Sequence, residues 1–564
     1  MNFNKIPLEV PSLEEFKDKS DKLLVKLNKA KTVESAYKVL LDMNKLCSDF
    51  STKCQFINIK FTLNTKDKVV SKAMNVINDL MPKVDNEITK FNKVLVNSPF
   101  RSELEKLTGK QYFKLLDMQL EVFDEAIVPE LVEENKLTMK YEEVISSAKI
   151  KFKGKTYNLP QLGKFLSDKD KDVRFEAAKA YWGFYAEHND EIGGIYDSLV
   201  KVRDRMAKKM GYKNYVEFGY KRMNRSDYNA EMVKNYREQI LKYVVPVSQK
   251  LRARQKDRLH IEHPIFTDYN LDFLSGNAKP IGGKDVLVPL AQEMYNEISS
   301  QTGEFFKMMV KNNLLDLEAR AGKTGGGYMD FLPKYKVPFI FANFNGTSGD
   351  VDVLTHEVGH AFQWYTSKDI TLYQLQMPTM EACEIHSMSM EFFAEPYMEK
   401  FFDKDADKYR FAHLADAINF LPYGACVDEF QHFVYENPEA THEERCKFWR
   451  QIEKKYEPHL DYAGIENLEN GCLWMKQSHI FASPFYYIDY TLAQVVAFQF
   501  YILLNKNYKK AWKKYYYLCS LGGKYSFLEL LKQAKLENPF KKGCLKKIMP
   551  KLEKALLKFD DQNM

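Results

Sequence analysis

Cysteine is sparse and unpatterned in this chain of 564 residues: the eight, Cys47, Cys54, Cys383, Cys426, Cys446, Cys472, Cys519 and Cys544, form no C-x-x-C pair. That distribution suggests neither a disulfide framework nor a cysteine zinc site, and the thiols are expected to be reduced and mostly buried. Long apolar runs are also lacking. No stretch reads as long enough to span a bilayer, and Met1 to Val10 lacks the charged start and apolar core of a secretion signal. The default expectation is a cytoplasmic protein with no membrane partner. Charge of one sign is equally short, because 83 Lys and Arg stand against 77 Asp and Glu for a formal charge of +6. Basic runs such as Lys541-Lys542 with Lys546-Lys547 lie among interspersed acids and read as solvated helix faces, so no nucleic-acid partner is implied.

Glycine and proline are scarce from Ser12 to about Ser147, where Leu, Val and Phe recur at helical spacing, as in antiparallel helices. Lys149 to Leu159 breaks the pattern with alternating Ile150 and Phe152, then Gly154 and Thr156-Tyr157, a β-hairpin signal. Helical periodicity resumes over Asp170–Glu187, Ile192–Met210, Ala230–Asp257 and Val286–Lys311. Ala321 to Gly349 is rich in glycine and aromatics and predicts a small sheet. Its Gly325-Gly326-Gly327 lacks the Lys-Ser/Thr ending of a phosphate loop. Pro338 places Val337 to Asn345 at a strand start or on an edge strand, and an edge could pair with an extended peptide. The division expected is 1–147, an N-terminal helical region; 148–200, hairpin and connecting helices; and 201–564, a catalytic region integrated with the first. The fold class is mainly α.

Histidine is rare, 11 in all, yet two stand in His356-Glu357-Val358-Gly359-His360, an H-E-x-x-H pattern. On a helix, positions i and i+4 share a face, so both imidazoles can reach one metal while Glu357 sits beside the open coordination position as a general base. Val351, Leu354, Val358, Phe362 and Tyr365 form an apolar stripe on the other side, with Ser348 or Asp350 available as N-cap. Packed core histidines would not occupy the face that stripe leaves free. Gly359 would let a second element approach closely. A third ligand is needed, and Glu381, Glu384, His386, Glu391 and Glu395 follow closely enough. If Met380 to Glu395 is one helix, Glu384, Glu391 and Glu395 share a face, Glu381 lies at its margin and His386 points away. Glu384 is the ligand expected, and Glu391 is placed to hold a ligand imidazole. His442-Glu443-Glu444-Arg445-Cys446 resembles half of a second such motif without its closing histidine and is assigned no metal.

These residues also carry a family resemblance. The motif with Glu384-Ile385-His386-Ser387-Met388-Ser389-Met390-Glu391, the stretch from Gly325 through Pro338 to Gly346, and His479 to Tyr490 resemble the oligoendopeptidase F branch of the thimet-oligopeptidase family of zinc metallopeptidases. The resemblance implies a two-lobed helical molecule with a deep channel, a small sheet beside the motif helix, one zinc per chain held by His356, His360 and Glu384, and short unstructured peptides as substrates. It further implies that His479 and a C-terminal tyrosine line the site. Where the thimet-type branch has a glycine-rich loop this chain has Ala482-Ser483-Pro484, so Tyr486, Tyr487 and Tyr490 compete, with Tyr490 the best fit by register. Substrate backbone is expected along Phe341, Ala342 and Asn343, with Tyr486 and Tyr487 nearby. The function expected is zinc-dependent endopeptidase action, with Glu357 activating the attacking water. The alternatives are a metal-dependent carboxypeptidase or dipeptidyl carboxypeptidase, and a non-catalytic peptide-binding protein, which would have no need of Glu357. Oligomeric state is not readable from the chain.

Overall fold

A computed structural model of the chain describes all 564 residues. It is 70% helical with two small sheets, the mainly α class that the periodicity predicts. The N-terminal helices Leu13–Asn28, Val33–Leu63 and Lys68–Val96 each begin at a residue, Ser12, Thr32 or Asp67, whose side chain accepts a first-turn N–H. Together with Lys110–Val122 they enclose a core of 24 buried residues, which Leu372 and Leu375 from the second half of the chain complete. A second core of 121 residues runs from Phe3 to Leu556. Phe3 packs on Phe339 at 4.3 Å between ring centroids, so the N-terminus is built into the larger core.

The hairpin pairs β1 (Ile150–Phe152) with β2 (Lys155–Tyr157), turning at Lys153 and Gly154, both with positive φ, the conformation that a tight two-residue hairpin demands. The division expected at residue 200 does not coincide with an element boundary. It falls inside the continuous helix Asn189–Lys209, whose own periodicity already ran past it. Two other expected helices are each split. Ala230–Tyr243 gives way to Val245–Arg258, which has Pro246 in its first turn, and Lys284–Ile298 gives way to Ser300–Lys311 at an extended Ser299 that caps Thr302.

The second sheet has the order β3 (Leu315–Glu318), β5 (Val337–Phe344), β4 (Tyr328–Leu332), with β3 parallel and β4 antiparallel to β5. Pro338 is the second residue of β5, consistent with a strand start. The edge-strand reading of Val337 to Asn345 fails because β5 is the central strand and hydrogen-bonds on both sides. The edges are β3, which the composition did not reveal, and β4, which follows the glycine triplet.

One stretch does have the length and hydropathy to cross a bilayer, contrary to the sequence reading. Tyr487–Leu504 has a mean hydropathy of 1.3 over 18 residues. It lies inside the protein, packed between helices Met380–Ala394 and Ala406–Glu436, and carries a fully buried Asp489 paired with Arg225 at 2.6 Å. A helix apolar on every face is what a central core position selects.

Candidate active site

The motif helix is Gly349–Ser367. Val351, Leu354, Val358 and Phe362 are buried along it, as the stripe requires, and Tyr365 packs against Phe305. Ser348 occupies the cap position without a side-chain bond. Asp350 instead accepts the N–H groups of Asn345 and Gly346, each at 2.8 Å, and so fixes the turn that leads out of β5. Gly359 is where the second helix crosses. A Cβ there would lie 2.7 Å from the His386 carbonyl oxygen and 2.7 Å from Ser387 Cα, so only glycine lets Met380–Ala394 come this near.

That approach delivers Glu384. Its Oε2 stands 3.3 Å from His356 Nε2 and 3.4 Å from His360 Nε2. A tetrahedral zinc with metal–ligand bonds of about 2.05 Å has donor–donor edges of about 3.3 Å, so the spacing of these donors fits such an ion. Glu357 is buried, and its Oε2 has no hydrogen-bond partner in the protein, leaving one carboxylate oxygen for a group brought in from outside. Burial raises its pKa, against the pull of His356 and His360. The donor set of two imidazoles and one carboxylate, with a free carboxylate beside it, is chemically suited to a catalytic metal.

Two acids and one further histidine support the three donors. Glu391 Oε1 meets His356 Nδ1 at 2.6 Å, and its Oε2 meets His413 Nε2 at 2.8 Å. His413 Nδ1 in turn meets Glu395 at 3.1 Å. With Nδ1–H donated to Glu391, the lone pair of His356 Nε2 faces Glu384 and the space between the three donors. Burial opposes a charge on both members, yet His356 and His413 pull Glu391 down to about 2, and Glu391 and Glu395 hold His413 well above the usual histidine range. His413 comes from Ala406–Glu436, and no local spacing singles it out. His386 points away as the helical wheel predicts, its Nδ1 3.4 Å from Cys519 Sγ. Glu381 is also buried, with its pKa raised by burial and by Asp489, and belongs to the core.

The opposite wall is the segment from Gln477 to Tyr490. Tyr423 donates to Gln477 Oε1 at 3.0 Å, and Gln477 Nε2 donates to His479 Nδ1 at 2.7 Å. The His479 proton therefore sits on Nε2, which lies 3.4 Å from the Tyr490 hydroxyl. Burial lowers the His479 pKa, against the nearby Glu384, and favours the neutral ring. Tyr486 donates to Glu384 Oε1 at 2.6 Å. Tyr487 turns its ring toward Phe420 and Tyr423. With Met388, Phe420, His479 and Tyr490 it lines a cavity of about 410 Å³. The backbone here is held in an unfavourable shape. Phe485 has φ +67°, its N–H donates to Gln431 Oε1 at 2.7 Å, and Arg225 binds both its carbonyl and Asp489. Gln431 and Arg225 were not foreseen from the sequence.

The three strand residues expected to hold substrate lie in the central strand, behind the glycine loop. Phe341 and Ala342 are buried in the central strand, Phe341 stacked on Tyr328, while the Asn343 amide donates to the Thr324 and Gly326 carbonyls. They brace the glycine loop. Gly327 borders Glu357: a Cβ there would lie 3.7 Å from Glu357 Oε1 and 3.5 Å from the Phe341 carbonyl oxygen.

Comparison with known proteins gives the family of the chain. Residues 3–123 match the model of the peptidase M3 N-terminal domain, and residues 284–550 match that of peptidase family M3. The structure of PZ peptidase A with an inhibitor is 46% identical with a TM-score of 0.96, covering 99% of this chain and all of that one. A protein from Bacillus anthracis strain Ames, assigned as an oligoendopeptidase F, is 46% identical with a TM-score of 0.92, covering 100% of this chain and 99% of its own. The oligoendopeptidase F homolog of Mycoplasma genitalium is 26% identical over 245 residues, 40% of this chain, and the match spans only 39% of that relative's length. Full-length likeness in both fold and sequence, together with the motif helix inside the matched region, shows that the chain belongs to peptidase family M3.

Proposed function

We propose that this peptidase is a zinc-dependent endopeptidase acting on short unstructured peptides. The observation that carries the reading is the donor triangle of His356, His360 and Glu384 with the unpartnered carboxylate oxygen of Glu357 beside it. Zinc, when bound there, would supply Lewis acidity toward the scissile carbonyl and make a water acidic near pH 7. The remaining work belongs to the chain. Glu357 takes the proton of the attacking water and passes it to the leaving amine; its raised pKa brings it closer to the range a general base and acid needs. His479, protonated on Nε2, and Tyr490 donate hydrogen bonds to the oxyanion of the tetrahedral intermediate, where they count most because the charge develops there. The backbone at Gly325 to Gly327 and the β4 edge, rather than β5, are suited to pair with an extended substrate.

Two results test this together. A peptide blocked at both ends should be cut internally, and Glu357→Gln should retain zinc while losing about 100-fold or more in kcat. Cleavage confined to free C-termini would favour the carboxypeptidase reading. Near-normal turnover by the zinc-loaded variant would remove Glu357 as the base.

A further inference from the structure

The unfinished motif at His442 gains partners in three dimensions. His442 and Cys446 share one face of helix His442–Tyr456, and the turn at Gly471 brings Cys472 against them. Cys446 Sγ lies 3.6 Å from Cys472 Sγ and 3.7 Å from His442 Nε2. Asn189 Oδ1, at the start of helix Asn189–Lys209, lies 3.2 Å from His442 Nε2 and 3.4 Å from Cys472 Sγ. The amide orientation is set because Asn189 Nδ2 donates to Asp190 at 3.1 Å. A tetrahedral zinc bound through sulfur at about 2.3 Å and nitrogen or oxygen at about 2.05 Å has edges of about 3.3 to 3.8 Å. All four of these separations fall in or at the margin of that range.

The surroundings are shaped to the cluster. A Cβ at Gly193 would stand 2.6 Å from His442 Nδ1, and one at Gly471 would stand 2.0 Å from the Cys446 carbonyl oxygen. Gly471 also has φ +87°, so both the close approach and the turn call for glycine. Both cysteines are buried, while His442 and Cys472 border a surface depression of about 1440 Å³ that gives an ion a way in.

We propose that His442, Cys446, Cys472 and Asn189 form a second metal site, distinct from the candidate active site, for a thiophilic ion of the zinc class. It ties the start of helix His442–Tyr456 to helix Asn189–Lys209 and to the turn from which the chain runs on through Gln477 to His479. Its role is structural, because four protein donors leave no open position for a substrate.

Cobalt(II) titration of the reduced, metal-stripped full-length chain tests the site independently of activity. The active-site donors include no sulfur, so thiolate-to-cobalt charge-transfer absorption reports only on Cys446 and Cys472. Wild type is expected to take up two cobalt ions per chain, with the thiolate band complete at one. His356→Ala should lose one ion and keep the band, and Cys472→Ser should lose the band and keep an ion. Should Cys472→Ser fail to fold, alkylation of wild type gives the same information, with zinc expected to slow modification of Cys446 and Cys472 at least tenfold. A missing thiolate band while mass spectrometry finds both thiols free would overturn the proposal. So would a Cys446–Cys472 disulfide that forms under mild reductant in the presence of excess zinc.

Discussion

Glu384 makes contacts of two kinds, and they separate the tyrosines beside it. Its Oε2 faces the two histidines, whereas its Oε1 accepts the Tyr486 hydroxyl. Tyr486 is thus placed to orient a ligand, and Tyr490, next to His479 Nε2, to meet developing charge. Tyr490→Phe is expected to lower kcat about 100-fold with little change in KM. Tyr486→Phe should instead weaken metal binding about tenfold, read by competition with a chelator, and recover most of its turnover at saturating zinc. A larger kcat loss for Tyr486→Phe at saturating zinc would transfer the oxyanion role to it. Residues that carry their information in local spacing were legible in the sequence: His356, Glu357 and His360 by the i, i+4 rule, and Glu384 and Glu391 by a shared helix face. His413, Arg225 and Gln431 were not: His413 and Gln431 come from helix Ala406–Glu436 and Arg225 from the loop after helix Tyr215–Arg222, and nothing in their own neighbourhoods marks any of them. The central position of the strand that carries Phe341 to Asn343 was hidden for a related reason. A run of apolar residues reports burial but not which neighbours a strand has.

At the scale of elements, two contacts decide how well the walls of the site are held. The first is the crossing at Gly359, where backbone atoms of the neighbouring helix leave no room for a methyl group. Gly359→Ala must push Met380–Ala394 away and draw Glu384 off the histidines. Overpacking of this kind costs about 1–3 kcal/mol, and a displacement near 1 Å costs about 100-fold in rate. The variant should keep its helical circular dichroism and lose about that factor in kcat/KM; unchanged kinetics would mean that the helices can slide without moving the ligands. The second is buried Glu134 of helix Val128–Ser146, which accepts from Arg203 at 2.6 Å and Arg222 at 2.9 Å. Arg203 also binds the Ile480 and Phe481 carbonyls, so the pair anchors the segment just after His479. Burial disfavours the Glu134 charge, but the two arginines outweigh it and bring the pKa down to about 2. This folded value lies below the unfolded one of about 4.3, so the stabilisation is complete above pH ~4.3 and is lost as pH falls toward 2. Glu134→Gln should therefore cost about 3–5 kcal/mol near neutrality, with the gap in unfolding temperature closing across that acid window. A gap independent of pH would show that lost packing, not charge, was measured.

Over the whole molecule, the segments that border the site are fastened to parts of the chain far apart in sequence, and this bears on substrate size. The loop that carries Gly325 to Gly327 is fastened to the N-terminal helices: Thr324 donates to the Thr62 carbonyl at 2.9 Å, Thr65 to the Gly322 carbonyl at 2.7 Å, and the Tyr328 and Thr62 hydroxyls are 2.6 Å apart. The facing wall is fastened to the larger core through Tyr141, which donates to the Met475 carbonyl at 2.9 Å and stacks on Phe481. Between these walls the donor side chains are only 24%, 12% and 5% exposed for His356, His360 and Glu384. A rigid protein surface has little access to donors this covered, whereas an extended chain, advancing about 3.3 Å per residue, can thread between the bordering segments. Peptides of roughly five to twenty residues should accordingly be cut, and folded proteins should survive until local unfolding frees a long segment. The comparison that decides is a native globular protein against the synthetic peptide of one of its own cleavable sequences. Equal rates of cutting at that sequence would place the scissile bond at an open surface and dissolve the link between the withdrawn donors and substrate size.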